Sequence, residues 1–533
     1  MNFLQPGESV IRKVQLAVPA GQDVLLARLR AESALQSAAL HPTGLPPAAI
    51  LVIRQVSGPR LGCLAAAPAD YSATRRWAQA FDSRLENLAA QALRPLYQTV
   101  PAEALAVLFA DRAELLACLA RDWLDGRLAA RWWWRSIFAR MEFAGLIPST
   151  FARFAADAPA AIETLARLGR AMEFARQLDE PSARLVLSAL LPVFDLRLLA
   201  LVFSAPDAPQ SRDETQPRSA PPADSGSPAS HQDVFQSEFG APFAQLIPEA
   251  CLPDLSPAAQ DLLMVALLLR RAPALIRSAE FAARLTAWQA AGRLIRARQA
   301  DEAATPGMVA PAVGRESAPV SQAEMAVQPL RQDEPGLQLQ PPASLEAYVS
   351  PVALACVTRT DFGGLFYLLN LAVYLEIYAD FTRPASPGWD LSPWDLLALL
   401  GRHWLGEAFE ADPLWALLAE LAGRDPQDAP GADFAPPSGW ESSFLQAGLP
   451  LGAPEWPWLE RLAAALRARL TLALGFDNLP RFLGQPARAL HTAARLDVYF
   501  ALAGHPLEVR LAGLDRDLGW LPAAGYAIYY HFE

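Results

Sequence analysis

The feature that most constrains the fold is a change of composition that divides the chain. Residues 204–233 consist mainly of Pro, Ser, Asp, Gln and Ala and contain no large apolar side chain. A segment of this composition cannot bury enough apolar surface to offset the conformational entropy that ordering costs. Residues 301–342 have a similar Pro-, Gln-, Ala- and Glu-rich character. We therefore predict disordered linkers at 204–233 and 301–342.

These linkers separate three segments that the sequence predicts to fold. A chain of 533 residues is too long to form a single core. With 14 Trp and 24 Phe it carries enough bulky side chains to build large cores. We predict an N-terminal strand–helix–strand followed by a helical block at 1–203. A short helical block follows at 234–300, and a helical block that ends in strands occupies 343–533.

Helical periodicity dominates all three segments. Trp77, Phe81, Leu85 and Leu88 form one apolar stripe at spacings of three and four residues. Serine followed by proline, at 256–257 and again at 392–393, is typical of an N-cap before the first helical position. Residues 102–125 also show a helical pattern. The predicted fold class is therefore mainly α with a small α+β part.

Strand patterns occur near the two ends of the chain. Val10–Val18 and Ala49–Val56 flank a helical pattern at 21–40, which predicts a parallel or near-parallel pair. Residues 496–502 and 526–532 alternate between apolar and other side chains. Because two strands alone are marginal in water, we predict a small mixed sheet built from N- and C-terminal strands. The alternative is two separate small sheets, each covered by its own helices.

Charge and lysine content exclude several functions. The formal net charge of −11 disfavours binding to nucleic acid and anionic lipid, so we predict no nucleic-acid partner. The only lysine, Lys13, lies in a predicted strand, whereas a phosphate-binding loop needs lysine after a glycine-rich turn. Apart from Lys13, no lysine could form a pyridoxal Schiff base or anchor ATP as in kinases. We predict no cofactor.

Cysteine spacing and the apolar runs indicate a cytoplasmic protein. Cys63, Cys118, Cys251 and Cys356 are far apart and form no CxxC motif, as expected of free thiols in a reducing compartment. The first residues lack the apolar core of a signal peptide. The apolar run at 364–375 is too short to span a bilayer comfortably, so we interpret it as a buried helix.

The most conspicuous run is an aromatic one between two arginines. The run consists of Arg131, Trp132, Trp133, Trp134 and Arg135. These residues could form a surface for a protein partner. Consecutive helical residues point about 100° apart, so the three tryptophans cannot share one face. We therefore favour core packing over a partner surface, with stacking on nucleic acid a distant third.

The segment 513–520 resembles a motif more than any other. Asp515 and Asp517 could bind a cation or act as paired carboxylates. We favour a tight turn, in which the aspartates accept local backbone hydrogen bonds and Arg516 pairs with one of them. Trp520 would anchor the turn on the core.

Two further patterns have a structural interpretation. Asp361, Phe362 and Gly363 match a kinase triplet, but the other kinase motifs are missing, so we interpret them as a helix cap. His403 and Glu407 are four residues apart and could share a metal, but no third ligand is indicated nearby. We predict no metal site and no catalytic residue.

Three stretches of the chain resemble a known group of proteins. They are the opening VIRKVQLAVPA, the region FGGLFYLLNLAVYLEIYADF and the C-terminal AGLDRDLGWLP followed by YAIYYHFE. In these stretches the chain is similar to uncharacterised bacterial proteins encoded near phage-tail-like contractile injection systems. Leu518 replaces the usual proline of their DRDPGW pattern. The resemblance implies an accessory or structural role in such an assembly, and it carries over no catalytic residue.

Together these patterns favour a non-enzymatic accessory or scaffolding protein that acts through protein partners. Tryptophan and arginine, both abundant here, concentrate binding energy at interfaces. One alternative is an enzyme whose site is assembled from distant residues, since fold alone cannot exclude it. Another is a membrane-peripheral protein that uses the apolar helix predicted at Phe362–Tyr378.

Overall fold

The structure is a computed structural model. It describes the following residues: 9–15, 23–38, 40–42, 45–57, 71–138, 145–204, 255–277, 281–283, 285–286, 356–380, 382, 388–432, 434–475 and 477–533. The predicted linkers lie outside this part of the chain, apart from Ser204. So do 234–254 and 287–300 of the predicted short helical block.

The described residues up to 282 and from 356 onward belong to one compact unit. Every element described below belongs to this unit. The two outer segments predicted from the sequence thus contribute to the same unit, together with the start of the middle one. The segment boundaries proposed above stay predictions.

The described part of the chain is mainly α with a small α+β part, as predicted. Its α-helices are numbered in chain order: α1 Val24–Ser37, α2 Tyr71–Ala90, α3 Arg112–Leu124, α4 Trp132–Ile137, α5 Leu146–Arg153, α6 Ala158–Arg167, α7 Ala171–Gln177, α8 Glu180–Val193, α9 Arg197–Ser204, α10 Pro257–Arg271, α11 Pro273–Ile276, α12 Tyr367–Tyr374, α13 Pro393–Leu405, α14 Glu407–Glu410, α15 Pro413–Ala422, α16 Glu441–Gln446, α17 Trp458–Leu474, α18 Leu479–Leu483 and α19 Leu507–Leu511.

The strands form two sheets. Their bounds are β1 Ile50–Ile53, β2 Ala106–Phe109, β3 Cys356–Thr360, β4 Ala487–His491, β5 Arg495–Phe500, β6 Gly519–Leu521 and β7 Tyr526–Phe532. β1 and β2 make an antiparallel pair, and the other five make a mixed sheet in the order β3-β4-β5-β7-β6. Only β5 and β7 run parallel in that sheet.

This topology corrects the predicted sheet. Within the described residues, the N- and C-terminal strands do not share a sheet, and the alternative of two separate sheets is found instead. Residues 10–15 of the predicted strand Val10–Val18 form no strand, and 16–18 lie outside the described residues. The partner of β1 is β2, which lies in a region predicted to be helical. A short buried apolar run fits either structure, and the alanines around β2 favoured helix.

The helix α10 lies at the centre of the N-terminal helices. It packs against α6, α7 and α8. Its eight residues from Leu262 to Leu269 are at most 3% exposed, so it is apolar on every side, as expected of a fully enclosed helix. Ser256 caps its first turn by accepting a hydrogen bond from the backbone of Ala259 at 3.3 Å, as the sequence predicts.

The last turn of α10 carries a buried cation. The Arg270 side chain is 2% exposed, and its Nε lies 2.8 Å from Glu163 Oε2 on α6. Its two Nη atoms donate to the backbone oxygens of Gly525 and Ala493, and the guanidinium lies 4.2 Å from the Tyr526 ring centroid. Gly525 has φ of 67°, and an added Cβ there would approach the Arg270 oxygen to 3.0 Å. We call α10 and the N-terminal helices packed around it the helical bundle. Arg270 therefore joins the helical bundle to the turns around β5 and β7.

The five-stranded sheet buries one face in the C-terminal core. Leu496, Val498 and Phe500 of β5 face the same side as Ile528 and Tyr530 of β7, and all are at most 6% exposed. Helices α12 to α18 contribute most of the remaining side chains of this core. The opposite face carries polar and aromatic side chains.

The apolar helix predicted after Thr360 is interrupted and buried. A 3₁₀ turn at Gly363–Phe366 precedes α12, and its Gly363 backbone nitrogen donates to the Gln485 oxygen at 2.8 Å. A Cβ on Gly364 would lie 2.0 Å from the Phe482 oxygen, so the kinase-like triplet leads into a tight backbone contact. Leu365 to Leu369 are at most 2% exposed, so this apolar run is buried in the core as predicted. Among the described residues, no helix has the length and hydropathy that crossing a bilayer requires.

We predict that Glu163→Gln strongly destabilises the protein above pH 4.5. Burial alone raises the pKa of Glu163, but Arg270, Arg167 and Arg271 outweigh it and lower the pKa to about 2. Because this lies below the ordinary value of 4.5, the stabilisation is complete above that pH and is lost as the pH falls through about 2. Breaking such a buried pair costs about 3–5 kcal/mol.

The measurement is urea unfolding of wild type and variant from pH 7 to pH 2. The difference in unfolding free energy should shrink as the pH falls through this range. Glu32→Gln is the matched control, since Glu32 pairs with Arg28 on the surface of α1. Equal stability of wild type and Glu163→Gln at pH 7 would contradict the stabilising role of the Glu163–Arg270 ion pair.

Candidate functional site

An open cleft of about 730 Å³ lies on the polar face of the five-stranded sheet. The sheet contributes Arg488, Tyr499 and His531, and the turn before β1 contributes His41 and Pro46. Because side chains alternate along a strand, the strands that bury one face present these residues on the other. The cleft is in the size range of small-molecule sites.

Three side chains from neighbouring strands form a stack along the cleft. Arg488 pairs in register with Tyr499, and Tyr499 pairs with His531. The Tyr499 and His531 rings stack with centroids 4.5 Å apart and an interplanar angle of 21°. The Arg488 guanidinium lies 5.1 Å from the Tyr499 centroid. The stack presents a cation, a phenol and an imidazole side by side.

A buried carboxylate holds His531 in place. Asp497 is 1% exposed, and its Oδ1 lies 2.7 Å from His531 Nε2. Arg495 Nε donates to Asp497 Oδ2 at 2.7 Å. Burial opposes ionisation of Asp497, but hydrogen bonds from His531 and Arg495 outweigh it, so its pKa lies below the usual value. Asp497 is therefore an anion that orients the imidazole.

The other end of the cleft is bordered by α19. Arg510 Nε donates to Asp515 at 2.9 Å, and its guanidinium lies 5.2 Å from the Phe532 ring. Asp515 also lies 3.2 Å from His505 Nε2, whose Nδ1 is 3.4 Å from the Tyr367 hydroxyl. Burial is the main cause that raises the pKa of Tyr367 above its ordinary range. This hydroxyl therefore stays neutral.

The cleft is better suited to binding than to nucleophilic catalysis. The hydroxyl-bearing residues that line it are Tyr499 and Tyr530. Burial and nearby Asp497 raise the pKa of Tyr499 to about 12, the opposite of what an activated nucleophile requires. The Tyr530 hydroxyl donates to the Phe366 oxygen at 2.8 Å. No group of three His, Cys, Asp or Glu side chains is placed to hold a metal within the described residues.

The tryptophan run lies in the core. Trp132, Trp133 and Trp134 are 7%, 1% and 0% exposed, so as placed here they cannot form the partner surface considered above. All three are buried although they point in different directions, because neighbouring elements enclose the short helix α4. Trp134 stacks on Phe109 of β2 and donates from Nε1 to Asp122 at 2.8 Å. At the ends of the run, Arg131 is partly buried and Arg135 is exposed.

The motif-like turn has a structural role, although its contacts differ from those predicted. Asp517 accepts from the backbone nitrogen of Tyr530 on β7 at 2.8 Å, not from local backbone. The partners of Asp515 are Arg510 and His505, whereas the Arg516 backbone oxygen accepts from Asn370. Trp520 meets Phe194 of the helical bundle at 4.9 Å.

Other predicted residues do not form a site. Glu407 begins α14 after Gly406, so His403 and Glu407 lie on different helices. Cys118 is a free buried thiol as expected, and burial is the main cause that raises its pKa well above the ordinary value. Cys63 and Cys251 lie outside the described residues, and the side chain of Cys356 is likewise not described.

The sequence analysis did not predict the cleft, although the strand alternation already indicated some of its residues. The alternation at 496–502 and 526–532 already placed Asp497, Tyr499 and His531 off the apolar face. Arg488 could not be added because no strand was predicted at β4. The register that joins the three strands depends on long-range pairing, which one sequence does not reveal.

Comparison of the chain with protein-family models, curated proteins and solved structures finds no match in any of the three.

We predict that Trp134→Phe destabilises the protein by about 1.5–3 kcal/mol. The variant keeps most of the ring but removes the hydrogen bond to the buried Asp122, which also pairs with Arg121. The control is Trp456→Phe, because Trp456 is 45% exposed. Chemical denaturation measures the free energy of unfolding of both variants. A loss no larger for Trp134→Phe than for Trp456→Phe would contradict the burial of the tryptophan run.

Proposed function

We propose that this chain is a non-enzymatic accessory or scaffolding protein that acts through protein partners. The observation that carries the proposal is the outward face of α19. Leu507 and Leu511 are four residues apart, share one helical face, and are 64% and 77% exposed. Val509, which points the opposite way, is fully buried. A helix anchored by one valine thus displays two leucines to solvent.

The surroundings of these leucines are typical of an interface. Leu502, in the turn before α19, is 55% exposed, and Arg510 lies between the two leucines in sequence. Arginine is enriched at protein interfaces, and exposed apolar side chains that lie together mark interaction surfaces. We define the α19 surface as Leu502, Leu507, Arg510 and Leu511. Its partner presents an apolar patch with a carboxylate at the edge.

The charged groups of the cleft support binding over catalysis. Arg488 pairs with Glu533, Arg510 with Asp515, and His531 with Asp497. Each of these charges is paired within the chain. Among the residues that line the cleft, no nucleophilic side chain lies beside a general base. The net charge of −11 favours protein partners over nucleic acid. The free thiol of Cys118 is consistent with action in the cytoplasm.

The resemblance at both chain ends suggests where such a partner belongs. We propose a component of a phage-tail-like contractile injection system. Tube and sheath genes beside the gene for this chain would support that assignment, and their absence would count against it while leaving the α19 surface to be tested separately.

The experiment is a chemical cross-linking pull-down from the native host at low salt. We expect wild type to retain one partner reproducibly and Leu507→Gln/Leu511→Gln to lose it, because the variant removes the apolar contact. Leu445→Gln, at a residue 60% exposed on α16, is the control and should retain the partner. Circular dichroism of all three should match. No specific partner of wild type, or equal retention by the double variant, would contradict the proposal.

An enzymatic role is the second candidate, favoured by the His531–Asp497 pair alone. A carboxylate-oriented imidazole can act as a general acid or base. It would require a substrate that supplies its own nucleophile. This role predicts a turnover that His531→Asn abolishes without loss of ligand binding.

A further inference from the structure

We infer that the cleft on the polar sheet face is a binding site for a small organic anion, a carboxylate or phosphate carried on an apolar body. This goes beyond the proposed scaffolding function and does not depend on it. The inference rests on the balance of hydrogen-bond donors and acceptors around the cleft, on its apolar wall, and on one internal carboxylate.

The polar groups that point into the cleft are mainly donors. Arg488 and Arg510 side chains are 45% and 55% exposed, and each uses only part of its guanidinium in its ion pair. The Tyr499 hydroxyl makes no hydrogen bond with the described residues and is free to donate. Arginine offers five N–H groups and accepts none, so the N–H groups that these ion pairs leave unused, together with the phenol, favour an acceptor-rich ligand whose acid group replaces Glu533.

Six of the other lining residues form an apolar wall. Leu45, Pro46 and Pro47 contribute to it from the segment before β1, and Leu490, Leu502 and Phe532 complete it. A site with a few convergent polar groups on an apolar wall is typical of small-molecule binding. A cleft of about 730 Å³ admits a ring or short hydrocarbon, with its acid group directed at the arginines.

Glu533 already occupies the position that the ligand's acid group would take. It is the carboxylate among the lining residues, and it pairs with Arg488. Its side chain is 58% exposed, and an ion pair this exposed is weak, so an incoming anion displaces it at little cost. The structure thus contains an internal competitor, and this gives the inference a test in which one variant strengthens binding.

The probe is phenyl phosphate, and its binding to the full chain is measured by titration with saturation-transfer NMR. We expect saturable binding that is tighter than that of inorganic phosphate, because the ring contacts the apolar wall. Benzylamine, which has a similar ring and the opposite charge, should not bind. Absence of saturable phenyl phosphate binding up to about 10 mM would overturn the inference. Equal binding of inorganic phosphate or of benzylamine would do so as well.

Variants locate the binding in the cleft. Arg488→Gln and Arg510→Gln should each weaken binding about tenfold, the loss expected for a charge-assisted hydrogen bond. Glu533→Gln should strengthen it about threefold by removing the competitor. The control is Arg467→Gln, since Arg467 forms an equally exposed ion pair with Asp477 and does not line the cleft. All four side chains are exposed, and the circular dichroism spectrum of each variant should match that of wild type. Unchanged affinity in both cleft arginine variants would contradict the site.

Discussion

The buried contact between Arg270 and Glu163 is the interaction on which the rest of the architecture depends. An arginine and a glutamate that are both nearly inaccessible to water lose their hydration, and only well-placed partners offset that loss. Here the guanidinium has a carboxylate, two backbone oxygens and an aromatic ring, while Glu163 also meets Arg271 at 2.7 Å. These partners come from α6, α10 and the turns of the C-terminal sheet.

The polar face of the five-stranded sheet is buried in one part and open in another. At one end Asp497 is buried, and Arg495 interacts electrostatically with it and with Asp157 of the helical bundle. Elsewhere on this face, residues of the turn before β1 and of the sheet line the open cleft. One strand face thus serves both as an internal polar contact and as an exposed site. The α19 surface adjoins this cleft because Arg510 belongs to both.

Local physics predicted much of the helical part of the fold. The predicted caps at Ser256 and Ser392 begin α10 and α13, since serine before proline satisfies a free backbone N–H. The stripe from Trp77 to Leu88 is buried. Gly475, in the left-handed conformation that glycine favours, ends α17.

The sheets and the sites were less accessible to sequence reasoning. β2 is short, and the alanines around it favoured a helical prediction. Val10 is exposed, although the sequence around it favours a strand. β3 and β4 lie about 130 residues apart and pair with each other in the sheet. Arg488, Tyr499 and His531 meet through the pairing of β4 with β5 and of β5 with β7. Local patterns therefore identify the helices, whereas the cleft arises from tertiary register.

The central claim is that Arg270 makes the helical bundle and the C-terminal sheet one cooperative unit. Hydrogen exchange followed by mass spectrometry, on wild type and Arg270→Ala, tests it most directly. The account predicts faster exchange in both α6 and β7, which are more than three hundred residues apart in sequence. Faster exchange confined to α10, with β7 as protected as in wild type, would contradict it.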